Sequence, residues 1–483
     1  MSLPPKTLSH FSRLFERIHS LVANIDTQLP PFYLVGGAVR DCLLERSCRD
    51  VDLVSPSAES LANLLADVNG ARAVRFEKRK GELNFRVVSR TASEEILDIS
   101  QMQEADITED LNLRDFTINA IAVPYRYDSV VEVIDPLDGR ADLSRKVIRQ
   151  TSENSLRHDS VRILRAFRLA AELGFQLDSA TCVSIESLKN QLADAAPERI
   201  REELVRIFNV SESKSIIQKM DDLGVLSEVF PEIDDLKGCI QNTYHDLDVW
   251  GHSLMVLDSC EYITNHLTDF FGDTASEIYR ILTENKRLPL LKFAALFHDI
   301  GKPAAQEMRG ADKRITFYGH EKKGARQIGQ AARSLRFSSK ECDYLEFLVA
   351  EHLHVLALFK PDVKRSTLAG FIRKAKDDFI PLLILGMSDV LGKTTCQTNT
   401  AKQDEYIGLA SKAAKQFFNQ IKPQLDRKAL VTGKDLLSLG LKPGPVIGEI
   451  LNALQKAQDE GLVTNRDSAL TFAEKLIHQK GTK

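Results

Sequence analysis

The chain has 483 residues, 43% of them hydrophobic and 27% charged, with a net charge of −4 at pH 7. That length exceeds what one core sustains, so several domains are expected. The charge balance excludes binding of nucleic acid through overall charge; any basic surface must be local. Seven cysteines, at 42, 48, 182, 239, 260, 342 and 396, include no CxxC pair. They predict reduced thiols rather than a disulfide framework or a zinc ribbon. No apolar run is long enough to span a membrane and the N-terminus has no signal-peptide pattern, so a cytoplasmic protein with no membrane partner is expected.

Residues 7–28 place Leu8, Phe11, Leu14, Phe15, Ile18, Leu21, Val22 and Ile25 at helical spacing, an amphipathic helix without assigned chemistry. The stretch that organises the chain follows, FYLVGGAVRDCLLERSCRDVDLV, residues 32–54. Its apolar start, 32–35, reads as a buried strand stopped by Gly36 and Gly37. Residues 38–44 read as a helix carrying Arg40, and 50–54 as a second strand. Asp50 and Asp52 alternate along that strand and so share a face. Two adjacent carboxylates repel unless a cation lies between them, and a hard ion such as Mg²⁺ suits them. The Gly-Gly turn lets backbone N–H groups approach a phosphate at a helix N-terminus. Alone, a Gly-Gly is ordinarily a tight turn and an Asp-x-Asp a solvated strand end. Together, on consecutive strands, they point to metal-assisted phosphoryl or nucleotidyl transfer.

GGAVRD followed by RDVDLV resembles the head of the tRNA nucleotidyltransferase and bacterial poly(A) polymerase family, the class II branch of the polymerase-β-like nucleotidyltransferases. The resemblance implies an α+β fold, a mixed-sheet head followed by helical neck, HD and tail domains. It implies that Asp50 and Asp52 bind two Mg²⁺ and that Gly36, Gly37 and Arg40 hold a triphosphate.

Beyond the carboxylate pair, 58–68 reads as a helix and strands are expected near 73–76, 84–89 and 95–99. Lys78, Arg79 and Lys80 fall in a hairpin tip, a solvated turn or a contact for RNA phosphates. DLNLRDFTINAIAV, residues 110–123, is similar to the family's Arg-Arg-Asp-Phe-Thr motif. The match implies that Arg114 contacts the nucleotide and that Asp115 is a third carboxylate near the metals. Asp98 competes for that second role. Leu113 stands where the family has its first arginine. About ten residues separate the strand at 95–99 from Glu109. Family members that add a complete CCA end carry a longer loop there, so the short connection implies the CC-adding subtype. Residues 130–150 read as the last head strand and its exit, with Asp135 and Gly139 structural.

Helices are expected to predominate from there. Asp159, Arg162, Arg165 and Arg168 recur at three-residue steps, which drift around a helix by about 60° each, so Asp159 neighbours Arg162 while Arg168 faces elsewhere. A carboxylate beside a guanidinium complements the donor and acceptor edge shared by cytosine and adenine, and opposes that of guanine and uracil. By itself the pair is an ordinary i,i+3 salt bridge. The resemblance makes it the reader of the incoming base and extends the nucleotide site to Arg165 and Arg168. His158 stands where the family has glutamate. The segment 197–208, beginning with Pro197, reads as a helix bracing the neck.

His298-Asp299 follows an apolar helical run and, with His252 upstream and Asp389 downstream, resembles the HD phosphohydrolase superfamily. Such ligands suit a divalent transition metal or Mg²⁺, whose bound water would be acidic enough to attack a phosphate ester. His320, His352 and His354 are candidates for a second metal or a substrate phosphate. The implied activity is phosphatase or cyclic phosphodiesterase action on damaged 3′ ends. Residues 396–483 are expected to be helical, locally basic at Lys412, Lys415, Lys422, Arg427 and Lys428, with 439–451 a broken turn leading into a helix.

The expected domains are an N-terminal helix at 1–31, the head at 32–145, the neck at 146–235, the HD domain at 236–395 and a tail at 396–483. The expected substrates are the tRNA 3′ end with CTP and ATP; the residues leave the oligomeric state open. The rivals are a poly(A) polymerase with the same head chemistry, and an HD phosphohydrolase whose head only binds RNA.

Overall fold

The computed structural model describes residues 3–23, 25, 28–48, 51–79, 81–88, 97–126, 131–241, 247–309, 314–358, 363, 365–393, 400–425, 429–459 and 462–481. The chain divides into two compact units, Met1–Cys239 with Gln327–Cys342, and Ile240–Arg326 with Asp343–Lys483.

The first unit opens with the helix Pro5–Val22, which buries Phe11, Leu14 and Ile18 and ends sooner than its periodicity suggests. Six strands form one sheet: β1 Tyr33–Val35, β2 Val51–Ser55, β3 Arg72–Arg79, β4 Glu82–Val88, β5 Leu97–Gln101 and β6 Ala122–Pro124. Their order is β3-β4-β5-β2-β1-β6. Only β2 and β5 run parallel, in a register that sets Asp52 beside Asp98. Val51, Leu53 and Val54 of β2 are buried while Asp52 is half-buried, so the strand presents its carboxylate at the edge of an apolar layer. The helix Ala58–Val68 lies against the sheet, burying Leu61, Ala62 and Leu65.

Within 131–150 a bridge joins Ile134 to Ala122, the helix Gly139–Arg145 follows, and the short strand β7 Val147–Ile148 pairs in parallel with β8 Gln176–Leu177. The carboxylate of Asp135 accepts from the N–H groups of Gly139 at 2.7 Å and Arg140 at 2.9 Å and so starts the helix. The neck is helical. Val161–Leu173 ends at Gly174, whose φ of 69° makes the left-handed cap. Pro197–Phe208 begins with its proline in the first turn, where no N–H is required.

In the second unit the helices Val249–Asn265, Arg287–Phe297 and Phe379–Leu391 pack on one another. Residues 379–389 of the last are all buried, which is why it reads as one apolar run. Among the described residues no helix is long and apolar enough to cross a membrane. In the tail, Val431, Leu436, Ile450, Leu454 and Val463 form a separate apolar cluster. Lys422 is held by Asp377 at 2.8 Å; Arg427, Lys428 and Lys80 lie outside the described residues, as do the side chains of Lys78 and Arg79.

Lys292 is fully buried in the three-helix core, its ammonium 3.0 Å from Glu261. Lys292→Ala leaves an uncompensated buried carboxylate and is expected to cost about 3–5 kcal/mol in denaturant unfolding. The double change Lys292→Met with Glu261→Leu, which removes both charges, is expected to restore most of that loss.

Candidate functional site

In the head, β1 delivers the chain to Gly36, which adopts φ +67° and opens the helix Gly36–Leu43. A Cβ at Gly36 would lie 3.2 Å from Oδ2 of Asp52 and 3.7 Å from Nη1 of Arg114. Glycine is therefore required twice, for its backbone conformation and for the space between a carboxylate and a guanidinium. Asp50 lies outside the described residues. Gly37 sits within the helix beside Arg40. Arg40 is held by Asp41 at 2.8 Å and donates to Oδ1 of Asn119 at 2.9 Å. Arg114 keeps a buried Nε without a hydrogen-bond partner, and Asp110 lies 3.8 Å from its Nη2.

The two candidates for a third carboxylate differ in their surroundings. Asp98 is the register neighbour of Asp52 and is gripped by Arg86 through two 2.7 Å bonds. Asp115 is nearly buried, accepting from the Phe116 N–H, from Asn119 and from Arg165. Burial alone would raise its pKa. The Arg165 and Arg162 guanidiniums, helped by those hydrogen bonds, outweigh burial and hold it at about 2.

A cleft of about 440 Å³ brings together Arg114, Asp115, Asp159, Arg162, Arg165 and Arg199. Asp159 is not on the helix with Arg162. It occupies an extended link (φ −152°) between Ser155–His158 and Val161–Leu173. Its Oδ2 accepts from Arg199 at 2.7 Å. Arg162 donates to the backbone carbonyls of Leu113, Arg114 and Ser155, so Leu113 contributes its carbonyl where its side chain departs from the motif. Arg165 joins Asp115 to Glu203. Arg168 is not among the residues that line the cleft. The helical twist turns it onto Glu203 at 2.6 Å and Glu172 at 3.0 Å, where it braces the neck. Arg199 is the residue that sequence reasoning missed. It was folded into the bracing helix, and no local spacing links it to a partner forty residues earlier.

The second unit gathers all four expected HD residues. His252 Nε2 is 3.2 Å from Oδ1 of Asp389, and His298 Nε2 is 3.0 Å from Oδ2 of Asp299. His320 and His352 join them, with Nε2 3.1 and 3.8 Å from Oδ1 of Asp299. The six fall into two sets, His252, His298 and Asp389, and Asp299, His320 and His352, the ligating atoms of each lying within 4.8 Å of one another. The Nδ1 atoms of His298, His320 and His352 each meet a backbone carbonyl three residues earlier, at 2.7–2.9 Å. Donating there, a neutral ring presents its Nε2 lone pair to the cluster; against the effect of burial, the Asp299 carboxylate raises the pKa of His298. Burial pushes the His352 pKa down to about 3, keeping it neutral. A Cβ at Gly301 would overlap the backbone of His320 and Gly324, so this glycine lets the turn after Asp299 lie against the helix that starts at His320. His354 is outside the cluster, half-exposed and bonded to Glu351.

Both sites accept cations on chemical grounds. In the head, the space that a Gly36 Cβ would fill adjoins Asp52; in the HD unit, Nε2 of His298 and of His320 face the Asp299 carboxylate at 3.0 and 3.1 Å, and the buried Nε2 of His352 has no hydrogen-bond partner among the described residues. Oxygen donors suit a hard ion, and mixed imidazole and carboxylate donors suit a divalent transition metal.

Residues 32–149 match the poly A polymerase head domain, 174–237 the RNA and SrmB binding site of polymerase A, 249–373 the HD domain and 396–473 the tRNA nucleotidyltransferase domain 2. The chain is 30% identical to the CC-adding tRNA nucleotidyltransferase of Geobacter sulfurreducens, covering 92% of this chain and 91% of that protein. It is 28% identical to the A-adding tRNA nucleotidyltransferase of Deinococcus radiodurans, over 92% and 96%. A similar fold, with a TM-score of 0.56 over 98% of both chains at 18% identity, is that of the Thermotoga maritima CCA-adding enzyme complexed with tRNA. The chain belongs to the tRNA nucleotidyltransferase family, whose head and HD modules are both metal-dependent.

Two outcomes follow from this geometry. Because the Asp115 pKa is lower folded than unfolded, its ion pairing adds stability above about pH 4 that disappears as the pH falls toward 2. Asp115→Asn is therefore expected to lower stability by about 2 kcal/mol at pH 6, with the gap to the parent closing between pH 4 and 2 in denaturant titrations. Gly36→Ala is expected to reduce nucleotide incorporation at least about tenfold, the equivalent of roughly 1.4 kcal/mol, with the far-UV spectrum unchanged.

Proposed function

We propose that this chain is a template-independent tRNA 3′-end nucleotidyltransferase that uses CTP and ATP, of the CC-adding subtype. The observation that carries the class is the convergence of Gly36, Asp52 and Arg114 in the head, with Asp159 and Arg162 on the wall of one cleft. Relatives named for C addition, A addition and the full CCA end all align over most of the chain. The short connection supports the subtype: residues 102–106 alone join β5 to the helix Ile107–Asn112.

In the reaction the RNA 3′-hydroxyl attacks the α-phosphorus of the incoming nucleotide. A new P–O bond forms, the bond to the β-phosphate oxygen breaks, and pyrophosphate leaves with its electron pair. Asp50 and Asp52 would hold Mg²⁺, which supplies neutralisation of the triphosphate and acidification of the hydroxyl. Gly36 and Gly37 leave room for the phosphates, and Arg114 offers its unpartnered buried Nε. Asp159 and Arg162 read the base edge, Asp159 steadied by Arg199. We assign the third carboxylate position to Asp98 in preference to Asp115. Asp98 stands beside Asp52 in the sheet, half-buried and paired with Arg86, whereas Asp115 is buried between Arg165 and Asn119. The HD unit is proposed to bind a divalent metal through His252, His298, Asp299 and Asp389 and to hydrolyse phosphate esters at damaged 3′ ends.

Labelled CTP and ATP are offered with tRNA lacking its whole CCA end, tRNA lacking only the final A, and a non-tRNA oligonucleotide. Two cytidines on the first and nothing on the others is the expected result. A full CCA end overturns the subtype alone. Long adenosine tails on the oligonucleotide make the chain a poly(A) polymerase, and no incorporation overturns the class. Asp52→Asn is expected to lower incorporation by about three orders of magnitude, the loss of roughly 4 kcal/mol of transition-state stabilisation.

A further inference from the structure

Asp98, the proposed third carboxylate, has both of its oxygens taken. Nε of Arg86 donates to Oδ1 and Nη2 to Oδ2, each at 2.7 Å. A carboxylate gripped in this way is a poor metal ligand, because the guanidinium occupies both oxygens and repels a second positive charge. The conflict lies at a defined place in the sheet. Arg86 is the register partner of Asp98, and Asp98 of Asp52, and such partners project from the same face. A row of charges therefore crosses one face from β4 through β5 to β2. On the far side of β2, β1 runs into Gly36, whose Cβ position lies close to both Asp52 and Arg114. The order across the face is guanidinium, carboxylate, carboxylate, guanidinium.

We propose that Arg86 is the counter-ion of Asp98 while no metal is bound, that it yields Asp98 to a divalent cation shared with Asp52, and that it then takes the last phosphodiester of the RNA strand being extended. This role rests on the assignment of Asp98 and adds to it a contact for RNA.

The direction of the reaction identifies the ligand. Attack on the α-phosphorus and departure of pyrophosphate are in line, so the hydroxyl and the leaving group stand on opposite sides of it. Gly36, Gly37 and Arg114 take the triphosphate in the proposed reaction. The RNA end is then left to the side of Asp98 and Arg86, where the charge that suits its phosphate is a guanidinium. Arg86 is also placed to change partners without losing its position. Its guanidinium carbon lies 5.5 Å from the centroid of the Phe76 ring, a face that holds a cation with or without a carboxylate beside it. Its side chain is 46% exposed and that of Asp98 19%, so the exchange takes place at the sheet surface and unpacks no core.

The rival account is a fixed cross-strand ion pair. A partly exposed pair of that kind adds little stability, and it would serve equally well elsewhere on the β4–β5 ladder. The next pair on the same face is uncharged, Ser100 donating to Oδ1 of Asn84 at 2.8 Å. The charged pair occupies the row of Asp52, where a cation competes for it.

The test uses the full chain with isotopically labelled arginine, the Nε–H resonance of Arg86 being identified by its loss in Arg86→Met. Millimolar Mg²⁺ with CTP is expected to move that signal to its position in Asp98→Asn, where no carboxylate holds the guanidinium. CTP without metal is expected to leave it in place. Arg75→Met removes the same charge from the β3 residue paired with Phe85, on the other face, and is expected to leave the Mg²⁺ response unchanged. Binding of tRNA lacking its CCA end is then followed by fluorescence anisotropy. Arg86→Met, checked by far-UV circular dichroism, is expected to match the parent without Mg²⁺ and to bind about tenfold more weakly with it. Arg86→Lys, which keeps the charge and gives up the paired donors, is expected to recover part of that loss. A signal that stays in place under Mg²⁺ with CTP, or that CTP alone moves, overturns the displacement. A moved signal with equal RNA affinity in Mg²⁺ overturns the phosphodiester contact. A loss of affinity of the same size with and without Mg²⁺, or one that Arg86→Lys does not lessen, overturns that contact as well. Asp98→Asn incorporating CTP at the parent's rate removes the assignment of Asp98 itself; lost incorporation with an unmoved Arg86 signal overturns the role of Arg86 alone.

Discussion

A buried run of alternating charges, Asp115 to Arg165 to Glu203 to Arg168, holds the first unit in working order. Asp115 belongs to the loop that also carries Arg114, Arg165 and Arg168 to one neck helix, and Glu203 to another. Removing an inner member, Arg165 or Glu203, strips a charge from two partners at once. The network therefore does more than add stability. It sets the loop that presents Arg114 at a defined height over the neck, and Arg162 secures the same loop by donating to three backbone carbonyls. A phosphate-facing element is thus tied to a base-facing one.

That linkage makes sense of template-independent selection. A nucleic-acid template reads a base by complementary hydrogen bonds; a protein doing so must hold a donor and an acceptor at fixed separation. Asp159 is fixed from one side by Arg199 and from the other by the N–H of Val161. Arg162 is fixed by the loop. The pair lines the same cleft as Arg114, so on the proposed reading the triphosphate and base contacts belong to one bonded assembly.

The HD unit solves a related problem by different means. There the charge is gathered inside a helical core, and three histidines are oriented by the carbonyls three residues back, Ala295, Phe317 and Val349. Gly301 then allows the turn bearing Asp299 to approach the helix of His320 at backbone contact, closer than any side chain would permit.

Much of this was legible in the residues alone. Gly36-Gly37 with the Asp-x-Asp pair, the apolar periodicities of 58–68 and 197–208, and the His298-Asp299 step each carry their message within a few positions, because strand alternation and helical repeat are local. The family resemblance extended that reading to domain order. Other features were decided only by the tertiary structure. The helix at Gly139 forms in a segment that reads as a turn, because Asp135 caps it. Arg168 gained Glu203 and Asp159 gained Arg199, both from a different helix. The two faces of Asp299 emerged only when His252, His298, His320, His352 and Asp389 were brought to one point. Contacts across forty or more residues depend on how helices pack, and packing leaves no spacing in the sequence that announces which side chains will meet.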